Sequence, residues 1–375
     1  MRVGFNFLNQ VKAVGVKTKL NNNIKISQTS DSVSFTSTDN ELKNKIGETF
    51  TDGIRIRIQA AKEKKVANYI MNDAKNVQAK MKDIKAVSVE KFKKFMEEKV
   101  ESDKIWKDYT KLFEQTKSKK SGSYTDELTG YEIKIDKSGD ETIIEEIKDG
   151  QIVKKTSINY PNGQETVDIE IIGSNGNPTK IYNFRDGVIS SISINPQEIT
   201  EEMYPHKKIS YDERIAFEDG EINSISENYK HSEDYAFVSY DKNYFYKKGE
   251  LSSYTEGYNK SLGSYKIKEN YIIRDGQFSS YEKNTISLLR KDDKLKEVEY
   301  SYKNGELVDA TIGHSEKYAG QSRFIDFEGK YNFENGKVTK IVKDYGSFHD
   351  IQPWKQTEYI FKDGKLEGYN YKFGY

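Results

Sequence analysis

The stretch that decides the fold is Tyr359-Ile360-Phe361-Lys362-Asp363-Gly364-Lys365-Leu366, close to the end of the 375-residue chain. An aromatic or aliphatic pair precedes an Asp-Gly dipeptide here, and an aliphatic residue follows it. Asp-Gly and Asn-Gly supply the positive φ angles that a two-residue hairpin turn requires. In such a turn the residue three before the glycine lies opposite the residue two after it. Phe361 is therefore predicted to pair with Leu366 across a β-hairpin.

Earlier copies of this pattern recur through the chain, with turn glycines at positions 150, 187, 220, 249, 276, 305 and 336. Neighbouring turn glycines are 27 to 37 residues apart, and a near-regular period of this size is typical of repeat architectures. By the same geometry, Phe333 is predicted to pair with Val338 and Tyr302 with Leu307. The copy at 145–152 is the weakest of the series.

The residues after each turn break the normal alternation of a strand. Apolar residues stand two and five positions after the glycine, for example Ile189 and Ile192, or Val338 and Ile341. Side chains alternate between faces with period two, so an offset of three cannot keep one face of a regular strand. Either a β-bulge lies between the two positions or the strand is apolar on both faces, and we favour the bulge.

The copies, such as Tyr331-Asn332-Phe333-Glu334-Asn335-Gly336-Lys337-Val338, resemble the bacterial MORN-variant repeats that also occur in YwqK-like proteins. The resemblance covers residues 141–375. It implies an open, twisted antiparallel meander with a role in interaction, and it implies no catalytic residues.

The charge of the chain is balanced in total but divided between its parts. Residues 55–120 contain 19 Lys and Arg against 10 Asp and Glu, a net charge of +9, whereas residues 121–375 contain 34 against 45, a net charge of −11. The two parts either have unlike surfaces, dock on each other, or leave the basic part for an acidic partner. The absence of cysteine excludes disulfides, thiol nucleophiles and Cys-ligated zinc.

Residues 1–54 are polar and are expected to be partly disordered or to form short strands. Residues 55–120 show helical periodicity and are predicted to form several amphipathic helices, with Ser88 and Ser102 as N-caps of the second and third. The residues predicted to face inward are Val66, Ile70, Ala74, Val77, Met81 and Ile84 in the first helix, Val89, Phe92, Met96 and Val100 in the second, and Trp106, Tyr109 and Phe113 in the third.

Residues 121–375 are predicted to form the β-hairpin repeat domain. The fold class is therefore α+β: N-terminal amphipathic helices followed by a long antiparallel β-meander of tandem Asp/Asn-Gly hairpins. The resemblance to MORN-variant repeats favours an open, twisted sheet over a closed barrel, and the Lys and Glu residues on both strand faces argue against a membrane barrel.

Four residues are candidate binding residues. Trp354 follows a proline and is either an anchor for a partner or a cap on the last repeat. By repeat phase, His231, His314 and His349 lie toward the same end of the sheet. Histidine beside a carboxylate can bind a metal or act as a base, but repeats two or more units apart do not converge. No catalytic, cofactor-binding or metal-binding residue is therefore predicted.

The sequence predicts a non-enzymatic interaction protein that presents an extended β-repeat surface to a protein or glycan partner. The alternative is an exported bacterial effector with its activity in the N-terminal region and the repeats as a scaffold. Neither a nucleic-acid partner nor a transmembrane segment is expected. No secretory signal peptide is evident, so a cytoplasmic location is expected by default, with non-classical export left open.

Overall fold

The computed structural model describes residues 40–127, 129–199, 208–210, 212–233, 236–260, 265–289, 292–317, 325–346 and 354–374. One long α-helix, α1 (Asn40–Thr116), precedes the strands of this part of the chain. The strands of the first half are β1 (Gly122–Thr125), β2 (Glu132–Ser138), β3 (Glu141–Lys148), β4 (Gln151–Asn159), β5 (Thr166–Ile172), β6 (Pro178–Arg185), β7 (Val188–Ile194), β8 (Gln197–Ile199), β9 (Lys208–Ser210) and β10 (Glu213–Glu218).

The later strands are longer, each of them nine to thirteen residues. They are β11 (Glu221–Glu233), β12 (Ala236–Lys247), β13 (Glu250–Lys260), β14 (Tyr265–Arg274), β15 (Gln277–Leu289), β16 (Asp292–Lys303), β17 (Glu306–Lys317), β18 (Ile325–Glu334), β19 (Lys337–Gly346), β20 (Trp354–Lys362) and β21 (Lys365–Gly374).

Nineteen of the described strands belong to one antiparallel sheet, and β8 and β9 form a separate pair. Strands that follow one another in the chain are neighbours in the sheet, apart from the step from β7 directly to β10. The sheet does not close on itself. The prediction of an α+β fold with an open antiparallel meander is therefore confirmed.

The described residues fall into two compact units. The terminal unit contains the described residues up to Gln78 together with those from Ser279 onward, and the central unit contains Ala79–Phe278. Each unit combines a segment of α1 with a set of strands, and the two units are described separately below.

The prediction of several helices with N-caps at Ser88 and Ser102 is wrong, because both serines lie inside α1. The Ser88 hydroxyl donates to the Lys85 carbonyl at 2.8 Å, and the Ser102 hydroxyl donates to the Lys99 carbonyl at 2.7 Å. A serine can make such a bond to the preceding turn without ending a helix. Both side chains are buried, so the serines occupy the contact side of the helix.

Buried residues recur along α1 at intervals of seven. They are Ala60, Ala67, Ala74, Met81, Ser88, Phe95, Ser102, Tyr109 and Thr116. Ile70, Val77 and Ile84 are buried as predicted, but Val66 is 37% exposed. The predicted inward face around Val100 is also wrong, because Val89, Met96 and Val100 are exposed and Phe95 is buried instead. The buried side includes small and hydroxyl residues, which a search for hydrophobic residues misses.

At the last turn, Asp363 and Gly364 have φ angles of 48° and 73°, the left-handed values that the hairpin requires. Phe361 pairs with Leu366, and the register then shifts so that Ile360 pairs with Gly368. Glu367 is therefore the extra residue of a β-bulge. The pairings of Phe333 with Val338 and of Tyr302 with Leu307 are followed by the same shift.

The bulge places the apolar residues on one face of the sheet. In the central unit a single row of directly paired residues crosses β6, β7 and β10–β14. The row consists of Tyr182, Ile192, Ile215, Ile225, Tyr244, Tyr254 and Tyr271, all of them nearly or fully buried. In the terminal unit the corresponding row is Tyr281, Tyr300, Ala310, Tyr331, Ile341, Tyr359 and Tyr369. We call this side of the sheet the helix face and the opposite side the open face.

Candidate interaction surfaces

On the side of α1 nearest the hairpin turns, contacts with successive turns recur every seven helix residues. In the central unit, Lys85 donates to the Gly276 carbonyl at 3.4 Å, and seven residues later the ring of Phe92 packs against Gly249. Lys99 is 3.7 Å from Glu221, next to the Gly220 turn. After a further seven residues, Trp106 packs against Gly187. Each seven-residue segment of the helix therefore contacts one hairpin turn.

The terminal unit keeps the same spacing. Lys64 donates to the Gly364 carbonyl at 2.5 Å, and Gln78 donates to the Gly305 carbonyl at 2.6 Å. Fourteen helix residues thus span the two hairpin steps from Gly364 to Gly305. The two spacings match because seven residues extend a helix by about 10.5 Å, and two strands extend a sheet by about 9.6 Å.

Ion pairs join the other side of α1 to the strands of the central unit. Lys91 lies 2.9 Å from Glu213 and also pairs with Glu227, while Lys94 lies 2.7 Å from Glu213. Burial alone would raise the pKa of Glu213, but the hydrogen bonds from the two lysines outweigh it and lower the pKa. In the central unit, part of the basic charge of the helix is therefore paired with acidic residues of the strands.

The arrangement is reversed at β6, where the strand supplies the cation. Lys180 lies 2.7 Å from Glu98 and 3.0 Å from Glu101 of the helix. Burial alone would lower the pKa of Lys180, but these carboxylates outweigh it and raise the pKa. Burial raises the pKa of the neighbouring Tyr182 to about 12, so its phenol stays protonated.

The open face carries polar side chains that are held by hydrogen bonds across strands. In the central unit, the Asn183 amide donates to Asp168 at 2.6 Å and its oxygen accepts from Ser191 at 2.7 Å. In the terminal unit, Gln356 donates to Asp344 at 2.8 Å. Such bonds fix side-chain positions before any partner arrives, which lowers the entropic cost of binding.

A group of four carboxylates lies on the open face of the terminal unit, and we call it the acidic cluster: Glu282, Glu297, Glu299 and Glu328. Glu282 of β15 is directly opposite Glu299 of β16. Burial, together with the charges of the other three carboxylates, raises the pKa of Glu299. Lys330 lies 2.9 Å from Glu328 and offsets only part of this charge.

We expect the variant E299Q to be more stable than the native chain at neutral pH. Like charges directly opposite each other on a sheet are destabilising, and for this partly exposed pair we expect a gain of about 0.5 kcal/mol or less. The pKa of Glu299 is raised in the folded chain, so its penalty appears as pH rises through that value and vanishes below the unfolded pKa. Urea unfolding at neutral and acidic pH measures the difference, and an equal gain at both would contradict the electrostatic origin.

The structure describes three of the four predicted binding residues. His314 lies in β17 and Trp354 begins β20, so both lie in strands rather than in loops. β18 and β19 separate them, a distance of about 14 Å at normal strand spacing. His231 lies in β11 of the central unit, where it pairs with Val238, and His349 lies outside the described residues.

No protein-family model matches this chain, and no curated protein is significantly similar to it in sequence. The described residues contain no group of three or more His, Asp or Glu side chains that could hold a metal ion. None of the helical structure described is long and apolar enough to cross a membrane.

The sequence interpretation missed the acidic cluster. Its signal was the alternation Glu297-Val298-Glu299, which places two carboxylates on one strand face, but the partners Glu282 and Glu328 lie on other strands. Only the register of β15, β16 and β18 brings these carboxylates together.

Proposed function

We propose that the protein is a non-enzymatic binding protein that holds a cationic segment of a protein partner on the open face of its sheet. The sheet is, in this proposal, a tandem array of one hairpin unit, of the kind that the resemblance to MORN-variant repeats implies. Each unit contributes two strands and one helix heptad, so the array offers an extended surface with a regular spacing.

The observation that carries the proposal is the direct pairing of Glu282 with Glu299. A like-charge pair lowers the stability of the free protein, and functional sites are among the places where proteins break such local rules. A lysine or arginine from a partner would relieve the repulsion. Complementary charges of this kind also raise the rate of association.

The role of α1 also supports the proposal. The helix segment from Ala60 to Gln78 rests on the strands of the terminal unit, and Tyr300 donates to its Asp73 at 2.6 Å. Tyr302 donates to the Ala74 carbonyl at 2.9 Å. The helix face is thus occupied by the chain's own helix, and the open face is the side left for a partner. This use of α1 as a cover favours binding over the alternative of an effector activity in the N-terminal region.

The test measures binding of a short fluorescent lysine-rich peptide to the full chain by anisotropy. We expect measurable binding that weakens as salt is added, because exposed charges are screened. In the double variant E282Q/E299Q the affinity should fall about tenfold, equivalent to about 1.4 kcal/mol. The matched control is E306Q/E334Q, which removes two exposed carboxylates of the same unit outside the acidic cluster.

Three results would oppose the proposal. Equal losses in the two double variants would indicate attraction by net charge alone. Absence of peptide binding at low salt would rule out a cationic segment as the ligand of the open face. Binding that is insensitive to salt, with a neutral oligosaccharide as the better ligand, would favour a glycan partner instead.

A further inference from the structure

The part of α1 that belongs to the terminal unit has an outward side with an unusual composition. Ile54, Ile58 and Tyr69 are 45%, 54% and 74% exposed. They are separated by four and eleven residues, which are close to one and three full helical turns, so they lie along one line on the helix surface. Lys65 lies on the same line between them. We call residues 54–76 on this side the outer helix face.

Cations border this line on both sides. Arg55 and Lys62, seven residues apart, lie on one border, and Arg57 and Lys75, eighteen residues or five turns apart, lie on the other. All four side chains are exposed. Arg55 makes one contact with a carboxylate, at 3.7 Å from Asp52. The outer helix face therefore has a central line of Ile54, Ile58, Lys65 and Tyr69 between two cationic borders.

Both carboxylates of this segment contact the strands, although Asp73 is exposed and lies eighteen residues, or five turns, from Arg55 on the same border. Glu63 is 7% exposed, lying 3.5 Å from Lys343 and accepting a hydrogen bond from Tyr331 at 3.4 Å. Asp73 accepts the hydrogen bond of Tyr300. The sheet thus contacts both acids between Gly53 and Gln78. Of the cations in this segment, Lys64 also contacts the sheet, and the exposed ones are Arg55, Arg57, Lys62, Lys65 and Lys75.

We propose that the outer helix face docks on the surface of an anionic lipid bilayer. A helix that lies in the membrane interface has apolar and aromatic residues in the centre of one face, with Lys and Arg at its sides. Each Lys or Arg near an anionic membrane adds to the attraction, and the effect decays within a Debye length. Residues 54–76 extend about 33 Å along the helix, long enough for both parts of the face to contact one surface.

The composition of the face distinguishes a bilayer from a nucleic acid. A nucleic-acid surface is recognised by cations that meet the phosphates directly. Here Ile54, Ile58 and Tyr69 occupy the centre of the contact, where phosphates would lie, and a duplex offers no apolar volume for them. A bilayer accepts such side chains below its headgroups. Of these two surfaces, only the lipid surface therefore accommodates both the cationic and the apolar side chains.

The test uses sedimentation of the full chain with two kinds of vesicle. One is phosphatidylcholine alone and the other contains phosphatidylserine. We expect binding to the anionic vesicles only, weaker at high salt. The double variant I58S/Y69S should bind at least about tenfold more weakly, because it removes the apolar centre. These side chains are exposed, so the variant should fold normally, which thermal unfolding by circular dichroism checks.

Matched controls come from the outward side of α1 in the central unit. The variant V87S/V100S removes two similarly exposed apolar residues, at 44% and 55% exposure, and should bind as the native chain does. For the charges, K62Q/K65Q is compared with K104Q/K107Q, and only the former should weaken binding. Insertion is measured separately in Y69W, whose fluorescence should be quenched by brominated lipid.

Several outcomes would overturn the proposal. The first is lack of binding to anionic vesicles at low salt. The second is equal loss in the test and control variants. The third is lack of quenching of Y69W together with full displacement from vesicles by a duplex oligonucleotide, which would identify nonspecific attraction to polyanions. Failure of the peptide test on the open face would not affect this proposal, because the two surfaces share no residue.

Discussion

Replacement of Lys343 by methionine is expected to lower the free energy of unfolding by about 3 kcal/mol. Lys343 lies on the helix face of β19, 3.5 Å from the buried carboxylate of Glu63, and it also donates to the Tyr331 hydroxyl at 3.2 Å. Removal of one partner from a buried pair leaves an uncompensated charge, and such changes typically cost about 3–5 kcal/mol. We use the lower end because the Lys343 side chain is 21% exposed.

The same substitution at Lys340 is the matched control. Lys340 lies on the same strand but on the open face, where it pairs with Glu358 and is 45% exposed. Exposed pairs contribute about 1 kcal/mol or less, so K340M should be nearly neutral. Urea unfolding of both variants provides the comparison. The double variant E63Q/K343M should recover much of the loss; equal losses in K343M and K340M would contradict the assigned faces of β19.

A second large effect is expected when one hairpin is removed from the terminal unit. Deletion of residues 306–336 joins the Asn304-Gly305 turn directly to Lys337, which occupies the same turn position as Glu306. The remaining strands then move one hairpin along α1, and Lys343 comes opposite Ile70 instead of Glu63, seven residues away. We expect a loss of at least about 3 kcal/mol, because both charges lose their partner.

Removal of residues 65–71 from the helix should repair this damage. The seven-residue deletion moves Glu63 back to Lys343 and keeps the buried side of α1 on the sheet. The doubly deleted chain should therefore be more stable than the chain with the hairpin deletion alone, and the deletion of residues 65–71 alone should be harmful. Urea unfolding measures all three chains. If the losses in free energy of unfolding from the two deletions simply add, the seven-residue spacing does not couple the helix to the sheet.

Local chemistry explains why the strands were predictable. The turn at Asp363 and Gly364 fixes the opposing pair Phe361 and Leu366 from adjacent residues alone, and the offset of apolar residues after the turn indicated the bulge. The division of charge along the sequence left docking of the helix on the strands as one of three alternatives. These features depend on residues close together in sequence or on the composition of whole regions.

The helix was harder to predict because its contact side is not hydrophobic throughout. Ser88, Ser102 and Thr116 are buried as well as Phe95, and their seven-residue spacing is meaningful only beside the spacing of the strands. The acidic cluster was harder still to predict from the sequence. Glu282 and Glu299 become neighbours through the register of two strands, and His314 and Trp354 are kept apart by two others.

The order in which helix and hairpins meet has a consequence for synthesis on the ribosome. In the central unit the earlier turn, Gly187, contacts Trp106, and the later turn, Gly276, contacts Lys85. In the terminal unit Gly305 contacts Gln78 and Gly364 contacts Lys64. Within each unit the strands made first therefore cover the more C-terminal part of that helix segment. Lys64 contacts a turn 300 residues further along the chain, so a nascent chain leaves the helix segment around Lys64 without this contact until the ribosome has passed Gly364.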